Sequence, residues 1–139
     1  MSPGSTGPYE TGMKFTQLST SPLRGIRALW NNPTQGPSIT FDLWRVASGV
    51  LVATETLPTV ANGYVQTTAA FGSHTLTVGD NYCVSIHVPG LYNHFTTSSI
   101  PLPKVYPDCQ VISGYSYWFG NVYPLADSPG YGAFTEPMY

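Results

Sequence analysis

The chain has 139 residues, of which 42% are hydrophobic and only 9% charged, with a formal net charge of −2. A single domain of this length buries about two-thirds of its unfolded surface, enough for a core without metal or disulfide help. Five Lys and Arg leave no basic stripe for a phosphate backbone, and no apolar run approaches the roughly 20 residues of a membrane helix, so neither nucleic acid nor a membrane is an expected partner.

Residues 1–11 are dense in Gly, Pro, Ser and Thr and read as a flexible N-terminal arm, either a free tail or an arm docked on a neighbouring subunit. Nothing in Met1 to Pro8 pairs a basic start with an apolar stretch, so no secretory signal is expected. The initiator Met points to a complete gene product made in a cytoplasm. Residues 12–139 read as one domain. Its first strand runs from Gly12 to Thr20 with Met13 and Phe15 on one face, and Leu18 breaks the parity near Gln17. From Leu23 to Asn31, Ile26, Ala28 and Trp30 alternate with Arg27 and Leu29. A loop through Pro37 leads to Ser38–Val46, where Ile39, Phe41 and Leu43 face one way and Thr40, Asp42 and Trp44 the other. Ala47-Ser48-Gly49 then turns the chain into Val50–Glu55 as a hairpin.

Further strands are expected at Tyr64–Phe71, His74–Val78, Tyr82–Val88 and Tyr92–Thr97, with Gly79-Asp80-Asn81 and Pro89-Gly90 as turns. Gln110–Ser113 and Gly114–Phe119 read as two more. Tyr131–Tyr139 reads as a closing edge strand, because Pro137 cannot donate within a central ladder. Helical periodicity is nowhere convincing. The sum is an all-β, antiparallel β-sandwich, jelly-roll-like, of about 8–10 strands.

The charge deficit has two readings: a neutral surface rich in Ser, Thr, Asn and Gln, or a surface covered in an assembly, where charge would cost desolvation. The 14% aromatic content favours the second. Cys83 and Cys109 are too few and too far apart for zinc, and are expected as free thiols in or near the core, a disulfide being the alternative.

Several pieces in order carry a family resemblance. They are Gly25-Ile26 with Trp30, Leu43-Trp44, Gly49-Val50-Leu51-Val52-Ala53-Thr54 and Asn62-Gly63-Tyr64. They continue with Val78-Gly79-Asp80-Asn81-Tyr82-Cys83-Val84-Ser85 and Pro89-Gly90-Leu91-Tyr92, then Gly114 to Tyr117 and Tyr131 to Phe134. Together they resemble a bacterial β-sandwich domain family of unknown function that recurs in secreted, cell-surface and carbohydrate-active proteins, here in a stand-alone form like a phage virion protein. The chain departs from that family at Tyr64, where the family has Trp, and in a short loop after Trp30. The resemblance implies a fold and no reaction, since the family brings no catalytic residues.

Catalytic chemistry is not expected. The seven acids (Glu10, Asp42, Glu55, Asp80, Asp108, Asp127, Glu136) read mostly as turn or terminal residues, which disfavours a hydrolytic pair. His87 and His94 would be opposed across a hairpin if Pro89–Tyr92 were its loop, about 5 Å apart at Cβ. Without a third ligand they read as two polar strand residues, so no metal and no cofactor are expected. Ser85 lacks a nucleophile elbow. For ligand binding, aromatic rings beside amide donors suit a sugar face, and the candidates are Trp30, Asn31 and Asn32 with Tyr92 and His94; the alternative is that Trp30 and Trp44 fill the core or its edge.

The expectation is a non-catalytic structural protein of a virus particle, a bacteriophage head decoration or tail-surface protein located in the virion. It would contact capsid or tail proteins and copies of itself. The alternative is a carbohydrate- or receptor-binding module of a tail tip or secreted protein, with a cell-surface glycan as partner.

Overall fold

The structure is a computed structural model that describes residues 2–3, 9–31, 38–58, 63–87, 93–98, 104–119, 123–127, 131–133 and 135–139. These residues hold thirteen strands, three of them two residues long, and a single 3₁₀ turn at Ala69–Phe71. In chain order the strands are β1 Ser2–Pro3, β2 Tyr9–Gln17, β3 Gly25–Asn31, β4 Ile39–Arg45, β5 Val50–Leu57, β6 Gly63–Gln66 and β7 Asn81–His87. They continue as β8 Asn93–Ser98, β9 Lys104–Val105, β10 Cys109–Phe119, β11 Ala126–Asp127, β12 Tyr131–Ala133 and β13 Thr135–Met138.

Two antiparallel sheets result, and the protein is an all-β sandwich. A seven-stranded sheet runs β11-β10-β2-β7-β4-β5, with β9 beside β11 on the outer side of β10. A six-stranded sheet runs β1-β8-β3-β13, with β12 on β8 and β6 on β3. Alternate residues of the larger sheet turn inward: Met13 and Phe15, Ile39, Phe41 and Leu43, Tyr82, Val84 and Ile86, Cys109 and Val111. They meet Ile26 and Ala28 of β3 together with Leu23, Phe71 and Leu76 in one apolar cluster. Period-2 patterning delivers this layer, because successive side chains on a strand leave opposite faces. Each large side chain removed from water there contributes about 1.5–3 kcal/mol.

The β4–β5 hairpin forms where Ala47-Ser48-Gly49 was expected to turn. Gly49 takes φ +66°, a conformation that side chains disfavour, and its N–H donates to the Arg45 carbonyl at 2.8 Å. β13 pairs with β3 alone among the described strands, which makes the Pro137 strand an edge as expected.

Elsewhere the structure corrects the sequence reading. β2 begins at Tyr9 and not Gly12, so residues 9–11, expected in the arm, are sheet. Pairing with both β10 and β7 makes that polar stretch central, and Glu10 and Thr11 are buried. The expected strand His74–Val78 is a lone bridge from His74 to Leu23. The stretch from Tyr64 gives β6 and then the 3₁₀ turn, because the Thr68 hydroxyl caps Ala70 N–H and ends the ladder. Two expected strands merge into β10, whose register shifts at Val111/Ser113 and Ser113/Ser116 absorb the break in alternation. The closing segment divides between β12 on β8 and β13 on β3.

One correction bears directly on chemistry. β7 lies in the larger sheet and β8 in the smaller, so the chain changes layers between them. His87 and His94 are therefore not opposed, and the cross-hairpin pairing considered for a metal does not form.

Candidate functional site

The outward face of the larger sheet is the unusual one, for its centre too is buried. Register places a row of residues straight across six strands: Asp127 (β11), Ser116 (β10), Gly12 (β2), Ser85 (β7), Asp42 (β4) and Thr54 (β5). Except for the glycine, every member of this row is polar. Beside it, toward one end, lie Glu10, His87 and Thr40; toward the other lie Lys14, Cys83 and Trp44.

Glu10, Asp42 and Ser85 are 0%, 1% and 0% exposed. Buried polar groups persist only when hydrogen-bonded, and these are bonded to one another. The Trp44 indole N–H donates to Ser85 Oγ at 2.8 Å, and Ser85 Oγ donates to Glu10 Oε1. Thr54 Oγ1 donates to Asp42 Oδ1 at 2.7 Å. The two carboxyl groups are hydrogen-bonded to each other, and His87 Nδ1 stands 3.9 Å from Glu10 Oε2. Gly12 permits this crossing. A β-carbon there would run into the Val84 carbonyl oxygen and Ser85, so only glycine lets β2 lie this close to β7.

A hydrogen bond between two carboxyl groups needs a proton between them. Burial, the neighbouring Asp42 charge and the hydrogen bond to Asp42 hold the Glu10 carboxyl well above the usual carboxylate range. The donors Ser85 and Trp44 pull the other way without prevailing. The Glu10 carboxyl thus keeps its proton to higher pH than an ordinary glutamate, at a site where neither acid has more than a trace of surface open to solvent.

The opposite flank is covered by residues 123–127. Lys14 Nζ lies 3.0 Å from Asp127 Oδ1, which also accepts from Ser116 Oγ at 2.6 Å. The Lys14 ammonium stands 5.1 Å from the Tyr123 ring centroid, and Tyr123 meets the Trp44 ring edge-on at 6.0 Å. Burial alone would lower the Lys14 pKa, but the bond and charge of Asp127 outweigh it and the result is upward.

Chemically, the acid cluster is built to hold a proton. Hydrolytic carboxylates stand about 5–9.5 Å apart around a substrate, whereas these two touch one another beneath the surface. Among the described residues no group of three His, Cys, Asp or Glu side chains could hold a metal ion. The two cysteines are free and buried on opposite faces: Cys83 pairs in register with Lys14 on the outward face, and Cys109 pairs with Gln17 toward the core. Burial pushes both thiols upward, away from the reactive thiolate.

Of the residues picked out for ligand binding, the fold brings Trp30 and His94 together as directly opposed residues of β3 and β8, with Asn31 opposite Asn93. On its other side Trp30 is opposite Gly63, where an added β-carbon would meet open space. Asn32 and Tyr92 lie outside the described residues. The sequence reading missed the Glu10–Asp42 cluster altogether. It set Asp42 on the correct face of its strand but grouped the acids with turns and termini, whereas Asp42 is mid-strand and Glu10 is in a central strand. The available signal was the alternation Thr11, Met13, Phe15, which extends back past Gly12. No protein-family model matches the chain, and comparison with curated proteins gives no match.

Proposed function

We propose that this chain is a non-catalytic structural protein of a virus particle, a bacteriophage head decoration or tail-surface protein. It acts by contact with capsid or tail proteins and with copies of itself. The observation that carries this reading is β5. It ends the larger sheet, and its consecutive residues Val50, Leu51 and Val52 are 58%, 42% and 41% exposed. The register shift opposite Leu43/Trp44 places an extra residue in β5 and turns neighbouring apolar side chains outward together. Apolar side chains clustered on an edge strand are a liability unless something covers them.

The rest of the molecule is consistent with a contact role. Its acids at the sheet centre are sealed and serve internal bonding, and the chain as a whole is poor in charge. A small apolar contact, worth about 25 cal/mol per Å² buried, holds only when a lattice repeats it many times. The test is to purify particles from an infected host and measure whether the chain remains at a fixed copy ratio. Val52→Lys should strip it from the particle without changing its melting behaviour. A Val52→Lys chain retained at the parental ratio, or a parent chain absent from particles, sinks the proposal.

The cross-strand pair Trp30–His94 favours a second reading, a carbohydrate- or receptor-binding module of a tail tip or secreted protein. The resemblance noted in the sequence leans the same way. A glycan-array signal abolished by Trp30→Ala would support it, and a blank array would remove it.

A further inference from the structure

We propose that Glu10 and Asp42 form a proton-held latch that fastens the start of β2 to the sheet and lets it go when the shared proton is lost. Glu10 is the second residue of β2, so it sits where the strand enters the sheet, one residue from its end. Asp42 is the middle residue of β4, which is paired along both edges and buried on both faces. One partner is therefore one residue from the end of its strand and the other is at the centre of a strand held on both sides. Any repulsion between them is relieved most cheaply by lifting Tyr9 to Thr11 away from β7 and β10.

Among the described residues, the charged and titratable groups on the strands around Glu10 are few. On β4 the facing charge is Asp42 itself. From β7 come His87, with Nδ1 at 3.9 Å, and the buried thiol of Cys83. Lys14 is four residues along β2, about 13 Å at strand rise, and is engaged with Asp127 of β11 and the ring of Tyr123. On β5, Glu55 is the register partner of inward-facing Phe41, on the other face of the sheet, and is bound to the backbone N–H and hydroxyl of Thr68. On β10 the register partner of Glu10 is Trp118, which brings no charge. Among the described residues His87 is a facing group able to soften the transition, and it joins the latch as a modulator.

The sign follows from linkage. Glu10 holds its proton above the ordinary carboxylate range in the closed state, so closure is complete at low pH and weakens as pH rises through the closed-state value. Between the ordinary glutamate value and the closed-state value each pH unit shifts the balance toward release by up to about tenfold, the slope of one proton, and above the closed-state value the balance levels off.

Two measurements on the full chain decide it. The first is the carboxyl ¹³C shift of Glu10 across pH in the unaltered protein. The expected result is a protonated carboxyl persisting above the normal range for Glu. A Glu10 carboxyl that titrates within the ordinary glutamate range overturns the proposal without requiring any variant to fold. The second is hydrogen exchange, corrected for intrinsic rates, at the amides of Thr11 to Met13, with Phe15 to Gln17 of the same strand as internal reference. Protection of the first group should fall by up to about tenfold per pH unit between the ordinary glutamate range and the Glu10 transition, then level off, while the reference holds. Glu10→Gln, which keeps a donor toward Asp42, should abolish that pH dependence. Uniform loss along β2, or an unchanged transition in Glu10→Gln, overturns the latch.

Discussion

The two faces of the seven-stranded sheet are made by the same strands and are both shut off from water at the sheet's centre, yet they are held by opposite physics. Inward, Phe15, Phe41, Leu43, Val84 and Ile86 pack without direction. Such a layer tolerates any set of shapes that fills the space. Outward, Glu10, Asp42, Ser85 and Trp44 are held by directed hydrogen bonds in which each member satisfies another. Removal of one member strands its partners in a dry environment. Burial therefore measures different things on the two faces: area and packing on one, completeness of bonding on the other.

The largest expected effect is on the inner face. Phe41→Ala should destabilise the fold by about 3–5 kcal/mol in urea unfolding, through lost transfer energy and the cavity left behind. A value under 1 kcal/mol would mean that Phe41 is not part of a close-packed layer. Next comes the outer network. Ser85→Ala removes far less volume but leaves the Trp44 indole and Glu10 without the hydroxyl between them, at an expected cost of about 1–3 kcal/mol. Stability equal to the parent would show that the row is incidental to the fold.

The pH response separates the faces more sharply, since the inner apolar cluster holds no carboxyl, imidazole or amine among its members. For Glu10 the folded-state pKa is raised, so its contribution is fully present below the ordinary glutamate value of about 4.3 and is lost as pH rises through the folded value. Unfolding free energy should accordingly decline from mildly acidic toward neutral pH, with a limiting slope of about 1.4 kcal/mol per pH unit. Glu10→Gln should flatten that decline, while Phe41→Ala should shift the curve down and leave its slope unchanged. Cys83 and Lys14, also raised, act only at higher pH. Their contributions are present below about 8.5 and 10.4, the ordinary thiol and ammonium values, and fade above them. The smallest effect is expected outside both faces. Arg27 and Glu136 form an ion pair with both side chains nearly half exposed, so Arg27→Ala should cost about 0–1 kcal/mol, less in high salt.

The inner face was legible in the sequence and the outer one only in part. Ile39, Phe41 and Leu43 against Thr40, Asp42 and Trp44 could be sorted by alternation alone, and Gly49 marked its turn. What alternation cannot show is that the second set is covered as well. A Thr, an Asp and a Trp on one face read equally as a wet surface or a bonded interior. Glu10 was hidden more deeply, because its neighbours Gly4 to Pro8 have arm-like composition and its pairing partners lie far along the chain. Trp30 and His94 were singled out separately for their side-chain chemistry, and the register of β3 with β8 made them neighbours.

By itself, then, the sequence determined the strand period, the turns that need glycine and the list of inward apolar residues, since these are local consequences of backbone geometry and hydrophobicity. Only the tertiary structure decided that β7 lies between β2 and β4. That placement sets Glu10 and Asp42 on the strands either side of β7 and brings two buried acids into one hydrogen-bonded cluster. The reason is physical: strand order is chosen by how the whole apolar layer closes, and a contact between residues so distant in the chain exists only after that choice is made.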